Sequence, residues 1–270
     1  MRKVVYIIMA NILEVKNLSV TYTGVKEVRA LRGVNLSVRK GEILGVVGES
    51  GSGKSTLAFS IINLLPQGSK KEGEILFKNQ NIMSLSENQL EDLRGRQISL
   101  VFQYPGATFN PVLSIGYQFH EMLKEKGGIK SRANRRKIIA DSFEKVRLSD
   151  CQRMINSYPH QLSGGQLQRV SIAMAISRNP DILIADEPTS SLDVTIESQI
   201  VNLFKELSDD YNITIIFITH NLDLVRVLCD RAVVLYQGKV REINSSKELF
   251  SSPKDSYTVD LIESFKELES

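Results

Sequence analysis

The sequence predicts an α/β fold whose core is a mainly parallel central sheet. Short runs rich in β-branched residues alternate with helical patterns through most of the 270 residues, as in folds assembled from strand–helix–strand units. One apolar strand pattern leads directly into a glycine-rich loop and a helix. The block from residue 115 to about residue 177 is mostly helical in pattern, so we expect a helical subdomain inserted into the sheet.

The first half of the chain contains most of the strand patterns. A helix is expected over residues 54–65, where Pro66 ends it. Strands are expected at 12–22, at 31–42 as strands around a turn, and at 43–47, 73–77 and 98–102.

Strand periodicity returns after the helical block, so the sheet resumes there. Strands are expected at 182–185, 213–218 and 232–236, and helices at about 194–209 and at 222–228. The basic run at 130–137 is interpreted as a solvated helix face.

Composition excludes several classes of protein. The chain is 42% apolar and 24% charged, and 34 basic against 31 acidic residues leave a net charge of only +3. A charge this small favours neither nucleic acid nor an anionic membrane surface, so we expect no nucleic-acid partner. No stretch approaches the roughly 20 consecutive apolar residues of a membrane-spanning helix. Any transport role therefore requires separate membrane subunits.

The N-terminus and the cysteines carry little functional signal. Residues 1–11 are interpreted as an N-terminal extension, with Met9 as an alternative start. Cys151 and Cys229 are far apart and have no metal-ligand spacing. We interpret them as buried or incidental thiols in a reducing, cytosolic compartment.

A phosphate-binding loop is predicted between a strand and a helix. Its residues are Gly48, Glu49, Ser50, Gly51, Ser52, Gly53, Lys54, Ser55 and Thr56. Glycines allow successive backbone N–H groups to turn toward phosphate oxygens, and the helix directs its positive end to the same place. Lys54 would reach the outer phosphates, and the Ser55 hydroxyl would ligate Mg²⁺. A GTPase, a kinase and a transporter ATPase all remain open at this point.

Two carboxylates end the apolar strand pattern that begins at residue 182. A buried parallel strand delivers its last side chains to the ligand-binding edge of the sheet. Asp186 suits the Mg²⁺ site, and Glu187 suits a general base that polarises the attacking water. The alternative is a strand-end acidic turn.

A second helix start rich in donors follows Leu162. Ser163, Gly164, Gly165 and Gln166 would present a hydroxyl and backbone N–H groups at the positive end of a helix. The phosphate-binding loop and this helix start give one chain two anion sites. Both are explained if the helix start covers the γ-phosphate of an ATP that is bound to the loop of another copy. The two copies would then form a head-to-tail dimer. The alternative is an ordinary helix start capped by Ser163.

The ordered set of motifs resembles the nucleotide-binding domain of ABC transporters over about residues 12–245. The set comprises the phosphate-binding loop, Gln103, the sequence LSGGQ at 162–166, the strand with its two acids, the Ser-Leu-Asp at 191–193 and His220. The resemblance implies a P-loop NTPase core of ABC type with an antiparallel β subdomain. It also implies a domain over 12–250, with its helical subdomain at about 104–178, and a short tail at 251–270.

Four residue roles are implied by the resemblance alone. Gln103 would be a metal ligand and a sensor toward the membrane subunits, and Asp193 would serve communication across the dimer. His220 would contact the γ-phosphate and orient the water, and Tyr22 would stack on adenine. The competing interpretations are a strand-end glutamine without special duty, a helix cap at His220 and an ordinary strand aromatic at Tyr22.

Within this family, the stretches at 109–111, 158–161 and 188–195 are similar to the oligopeptide, dipeptide and nickel importer group. Tyr104 and Ser256 depart from that group's pattern. We expect a peptide importer, with nickel chelates or oligosaccharides as alternative cargo and a soluble, non-transport ABC ATPase as the alternative class. The implied cofactors are ATP and Mg²⁺. The implied partners are a second ATPase subunit, a copy or a paralogue, two transmembrane permease subunits and an extracytoplasmic binding protein, at the cytoplasmic face of the membrane.

Overall fold

The computed structural model describes residues 10–24, 26–125 and 128–269, with the backbone alone for 266–269. Contacts within the chain define two units, Met1–Leu85 with His220–Ser270, and Ser86–Thr219. Residues 1–9 of the predicted extension lie outside the described residues, and Asn11 already begins the first strand. The domain bounds drawn from the sequence stay predictions.

Strands and helices alternate along the chain as expected. The first unit opens with β1 (Asn11–Tyr22), β2 (Val28–Arg39), β3 (Ile43–Val47), α1 (Lys54–Ile61), β4 (Lys70–Phe77) and β5 (Gln80–Asn81). The second unit contains α2 (Glu87–Leu93), β6 (Ile98–Val101), α3 (Pro105–Thr108), α4 (Ile115–Glu125), α5 (Arg132–Lys145), α6 (Cys151–Asn156), α7 (Gly164–Ile176), β7 (Ile182–Asp186), α8 (Val194–Tyr211) and β8 (Thr214–Ile218). The chain then returns to the first unit with α9 (Leu222–Leu228), β9 (Arg231–Tyr236), β10 (Lys239–Ser245), α10 (Ser246–Ser251) and α11 (Ser256–Glu269).

The first unit contains an antiparallel sheet in the order β2-β1-β4-β5. Leu13 and Val15 of β1 are buried, and Leu13 pairs with Phe77 across the sheet. The predicted antiparallel β part is therefore confirmed. The turn expected within 31–42 is present at Lys40 and Gly41, where Gly41 adopts a φ of +74°, but it comes at the end of that stretch, because β2 runs to Arg39 and the strand on the other side is β3.

Parallel strands occur in both units. In the first, β3 pairs parallel with β9, and β10 joins β9 in antiparallel fashion. In the second, β6, β7 and β8 are mutually parallel. Every residue of β3, β7 and β8 is buried, which is typical of strands covered on both faces. The predicted α/β class with mainly parallel core strands is confirmed.

Helices fill the second unit between β6 and β7. Phe119 of α4 and Phe143 of α5 are fully buried, with their ring centroids 5.9 Å apart. A Cβ at Gly116 would lie 2.3 Å from the Ile155 side chain, so α4 approaches that residue of α6 very closely. Arg132 and Arg136 are exposed, as expected of a solvated face of α5. Helical structure over 115–177 is thus confirmed.

Two helical features differ from expectation. The helix expected over 54–65 ends at Ile61, because Asn63 adopts a left-handed φ of +50°. The expected short tail carries α11, which the sequence patterns do not predict. In the described part of the chain, no helix combines the length and the apolar character needed to cross a membrane.

Candidate functional site

The glycine-rich loop joins β3 to α1, and two of its glycines are required by close packing. A Cβ at Gly48 would lie 2.0 Å from the backbone oxygen of Leu235, and one at Gly53 would lie 2.8 Å from that of Ala30. Gly51 has open space around it but a φ of +78°, which side chains rarely adopt. The middle of the loop, at Gly51, is therefore open to a ligand, while Gly48 and Gly53 at its two ends pack closely against neighbouring strands.

Lys54, the first residue of α1, is folded back over this loop. Its side chain is 6% exposed, and Nζ donates hydrogen bonds to the carbonyl oxygens of Gly48 at 2.7 Å and of Glu49 at 2.9 Å. The loop is also fixed from outside, because Gly238 donates its N–H to the Ser52 carbonyl at 2.9 Å. The positive charge thus lies at the centre of a turn of backbone.

Hydroxyl groups surround the start of α1. Ser55 is exposed and Thr56 is buried, and the hydroxyl groups of Tyr22 and Thr56 are 3.0 Å apart. Tyr22 is the half-buried last residue of β1. The structure therefore brings Tyr22 to the helix that follows the loop, although Tyr22 and Thr56 are 34 positions apart in the sequence.

In the second unit, β7 ends in the two predicted carboxylates. Asp186 is 8% exposed. Glu187 has a φ of +44° and donates its N–H to the carbonyl oxygen of Ile218 at 2.9 Å. A left-handed non-glycine residue costs on the order of 1–3 kcal/mol and requires support from its surroundings. The neighbouring strand supplies that support, so the direction of the Glu187 side chain is fixed.

Gln103 contacts Glu187 directly. It follows β6 by two residues, and its Nε2 donates a hydrogen bond of 3.0 Å to Oε2 of Glu187. This strand-end glutamine therefore has a defined contact, with the carboxylate that the sequence predicts as the general base.

The second donor-rich helix start is capped as its sequence suggests. Ser163 Oγ accepts the N–H of Gln166 at 3.3 Å, and Gln166 Oε1 accepts the N–H of Ser163 at 3.1 Å, which is a reciprocal capping box. Gly164 is exposed, whereas a Cβ at Gly165 would lie 2.6 Å from Cγ2 of Ile196. The cap and the tight contact fix the start of α7 against α8.

Asp193 and His220 each precede a helix. Asp193 caps α8 by accepting the N–H of Ile196 at 2.9 Å. His220 is exposed, and the cap of α9 is Asn221, whose side chain accepts the N–H of Asp223 at 2.9 Å. The interpretation of His220 as a helix cap is therefore wrong.

Comparison with known proteins assigns this arrangement to a family. The family model described as ABC transporter matches residues 31–190. The chain belongs to the ABC transporter family. It is an ATP-binding subunit of the kind that hydrolyses ATP for a transporter.

Individual relatives support the same assignment. The chain is 42% identical to the oligopeptide transport ATP-binding protein OppD of Bacillus subtilis, over 97% of this chain and 74% of that protein. It is also 42% identical to the dipeptide transport ATP-binding protein DppD of Bacillus subtilis, over 97% and 78% respectively. Among solved structures, the dimeric post-hydrolysis state of the ATP-binding cassette MJ0796 bound to ADP and Pi superposes with a TM-score of 0.76 at 34% identity, covering 87% of this chain and 98% of that one.

The candidate residues of this ABC subunit divide between the two units. The phosphate-binding loop, Tyr22 and His220 lie in the first unit, and Gln103, LSGGQ, the two strand-end acids and Asp193 lie in the second. Within units, the structure joins Tyr22 to Thr56 and Gln103 to Glu187. The sequence reasoning missed the direct contact between Gln103 and Glu187, which lie 84 positions apart and for which the sequence carried no local signal.

Oxygen donors suited to a magnesium ion are present. They are the exposed hydroxyl of Ser55, the carboxylate of Asp186 and the side-chain amide of Gln103. In the part of the chain that the structure describes, no cluster of three or more His, Cys, Asp or Glu side chains could hold a metal. Mg²⁺ takes oxygen ligands, and in ATPase sites it is bound by a few protein groups together with phosphates and water. These donors fit that ion.

Proposed function

We propose that this chain powers the import of peptides as one of two ATPase subunits of an ABC importer. The observation that carries the proposal is its likeness to peptide-transport subunits over nearly the whole chain, at 42% identity. The contacts of Lys54 with its loop and of Gln103 with Glu187 support it. The subunit thus contributes the chemistry that such an importer requires.

Phosphate binding is assigned to the loop at 48–56. Backbone N–H groups of Glu49, Ser50, Gly51, Ser52 and Gly53 surround the phosphates, and Lys54 moves from two backbone carbonyls to the outer phosphate oxygens. Exchange of neutral carbonyl partners for phosphate is favourable because the ammonium then also gains the attraction of an opposite charge. Adenine stacks on Tyr22, a contact worth roughly 1–3 kcal/mol in comparable settings.

Metal binding is assigned to Ser55, Gln103 and Asp186. Mg²⁺ bound by these oxygens would neutralise negative charge that develops on the phosphates. The buried position of Asp186 keeps its carboxylate from bulk water, where its attraction for a cation would be weaker.

Hydrolysis is assigned to Glu187, with Gln103 and His220. Glu187 takes a proton from the attacking water as a general base, a role worth about 10²–10⁴-fold in rate. The Gln103 amide orients that carboxylate through the 3.0 Å hydrogen bond. His220 contacts the γ-phosphate and orients the water.

Dimer formation is assigned to LSGGQ and Asp193. Ser163 Oγ accepts from Gln166 N, so its O–H hydrogen can still donate to phosphate, as can the N–H groups of Gly164 and Gly165. These groups cover the γ-phosphate bound by the second subunit in a head-to-tail dimer, and Gln166 fixes their geometry. A related cassette of the same family forms a dimer, which supports the arrangement.

The remaining partners follow from the importer class. We assign two transmembrane permease subunits, an extracytoplasmic binding protein that delivers cargo, and a location at the cytoplasmic face of the membrane. A shared ATPase does not by itself define cargo. Nickel chelates and oligosaccharides are therefore the competing cargoes, and a soluble ABC ATPase is the competing class.

The test is the ATPase activity of the co-purified assembly in lipid, with and without peptide-loaded binding protein, beside the Glu187→Gln variant. Stimulation by the loaded binding protein that vanishes in the variant supports a peptide importer. Stimulation only by a nickel- or sugar-loaded binding protein changes the cargo. Activity that no permease or binding protein affects rejects transport.

A further inference from the structure

Arg169 joins α7 to two other parts of the second unit. Its Nη1 donates a hydrogen bond of 2.8 Å to the carbonyl oxygen of Val146, just beyond the end of α5. Its Nη2 donates a bond of 3.1 Å to Oε1 of Gln199 on α8. Arg169 is half-buried, and a guanidinium presents its donors in one rigid plane. The side chain therefore holds α7 in two directions at once.

The chain at the end of α5 is itself held in place. Val146 is fully buried, and its N–H donates to the carbonyl oxygen of Ser142 at 3.3 Å. The next residue, Arg147, pairs with Glu206 of α8 at 2.6 Å. The carbonyl that Arg169 binds therefore belongs to a segment that is fastened to α8 as well.

The bond to Gln199 lies one helical turn beyond the close contact of α7 with α8. At that contact, a Cβ at Gly165 would lie 2.6 Å from Cγ2 of Ile196. Arg169 follows Gly165 by four residues and Gln199 follows Ile196 by three, so each pair lies on one helix face. Apolar contact has no direction, whereas a hydrogen bond requires one. Arg169 therefore sets how α7 is turned against α8.

The orientation of α7 matters because LSGGQ forms its start. Ser163 caps α7, and Gly164 is its first residue. A helix rises about 1.5 Å per residue, so Ser163 lies roughly 9 Å from Arg169 along the same rigid element. A turn or slide of α7 at Arg169 therefore displaces the Ser163 hydroxyl and the Gly164 N–H. A misplacement of about 1 Å can cost an enzyme about a hundredfold in rate.

We propose that Arg169 is a positioning residue for LSGGQ, which it aims at the γ-phosphate held by the second subunit. Its two contacts lie within the second unit, whereas the phosphate-binding loop lies in the first. Arg169 thus serves hydrolysis in the closed dimer and not the binding of ATP to its own subunit. The inference rests on the proposed role of LSGGQ in the dimer.

The test is the Arg169→Lys variant of the full chain, because lysine keeps the charge and lacks the planar fork that reaches both partners. We expect hydrolysis by the assembly in lipid, at saturating ATP, to fall by about threefold to tenfold, the scale of one hydrogen bond. The Kd of the isolated subunit for ATP should stay unchanged. Arg96→Lys is the matched control, since Arg96 is an exposed arginine of the same unit, 3.5 Å from Asp92, and it should alter neither quantity.

Gln199 provides a second test that does not depend on a change at Arg169. Its side chain is exposed, so the chain should tolerate substitution there. Gln199→Ala removes one acceptor and should lower hydrolysis by about twofold to fivefold. Gln199→Glu keeps an oxygen acceptor and adds a charge to the bond, so it should preserve the wild-type rate. A difference between these two variants reports the bond to Arg169.

A double variant tests whether Arg169 acts through LSGGQ. Ser163→Gly removes the hydroxyl and leaves a residue that helix starts accept, so it should lower hydrolysis and leave the Kd for ATP unchanged. On that background, Arg169→Lys should cost less than it does in the wild-type chain, because residues that act as a unit are not additive.

Three outcomes overturn the inference. Unchanged hydrolysis in Arg169→Lys, beside a loss in Ser163→Gly, would reject it while the proposed role of LSGGQ stands. Equal losses in Gln199→Ala and Gln199→Glu, with multiplicative losses in the double variant, would leave Arg169 a structural role alone. Hydrolysis that Ser163→Gly does not change would reject the proposed role of LSGGQ, and the inference with it.

Discussion

The side-chain amide of Gln103 donates a hydrogen bond of 3.0 Å to the carboxylate of Glu187. Gln103 follows one strand of the second unit and Glu187 follows the strand paired with it. Because the two strands are parallel, both side chains leave the sheet at the same edge. The proposed general base and the proposed sensor therefore act as a pair, and the first predictions concern that pair.

Glu187→Gln should retain ATP binding and lose hydrolysis by roughly a hundredfold or more, the usual scale for a general base. Turnover of the assembly in lipid and the Kd for ATP measure the two effects. Asp210→Asn is the matched control, because Asp210 is an exposed acid on α8 outside the candidate site. Equal activity of wild type and Glu187→Gln would refute the assignment.

Gln103→Ala should lower ATP hydrolysis by about threefold to tenfold, because the carboxylate loses one charge-assisted hydrogen bond. On a Glu187→Gln background the same change should have little further effect on the rate, since residues that act as a unit are not additive. The hydrolysis rates of the wild type, the two single variants and the double variant complete this double-mutant cycle. Independent, multiplicative losses would show that Gln103 acts on hydrolysis by another route.

Gly165→Ala should destabilise the chain by about 1–3 kcal/mol, because overpacking forces α7 and α8 apart. The added Cβ would lie 2.6 Å from Cγ2 of Ile196, whereas at Gly164 it would lie 3.5 Å from Leu192, which is ordinary contact. Thermal unfolding of Gly165→Ala and Gly164→Ala compares the two. Ile196→Ala should partly rescue the first variant, and equal melting temperatures of the two single variants would contradict the packing argument.

Gly48→Ala should abolish ATP-dependent stabilisation, because a Cβ 2.0 Å from the Leu235 carbonyl forces the loop out of place. Gly51→Ala has open space and should cost only about 1–2 kcal/mol of backbone strain, with ATP binding weakened but retained. The shift in melting temperature on adding ATP separates the variants. A normal shift in Gly48→Ala would mean that the loop relaxes without losing its function.

Cys151 should react with a thiol reagent in the folded chain, and Cys229 only after unfolding. Cys229 is buried, and burial, followed by the charge of Asp230, raises the pKa of its thiol, so almost no reactive thiolate forms. Cys151 is half-buried at the start of α6, with a thiol pKa raised chiefly by the same effect. Mass spectrometry counts the modified thiols, and rapid labelling of both in the folded state would contradict the burial of Cys229.

Elements with a strong local pattern were predictable from the sequence. The strand expected at 182–185 extends only one residue further, and the helix expected at 222–228 has those bounds. Both have continuous apolar or helical periodicity over their whole length. The end of α1 was not predictable, because the left-handed conformation of Asn63 is set by local hydrogen bonding that apolar periodicity does not report.

The candidate site was predictable as a set of residues and not as a set of contacts. The loop, the two acids and LSGGQ are contiguous motifs, so their residue types and order carry the chemistry. The contact of Gln103 with Glu187 and that of Tyr22 with Thr56 depend on long-range packing. A single sequence does not contain that information in any local pattern.

The ammonium of Lys54 bonds to two carbonyl oxygens of its own loop. In the proposed cycle, release of ADP and phosphate would return the ammonium to those carbonyls, so the loop would keep a folded shape between one ATP and the next. The entropy of arranging the loop would then be lost once, when the protein folds, and not in every transport cycle. Lys54 would thus serve the reloading of the subunit as well as the binding of phosphate.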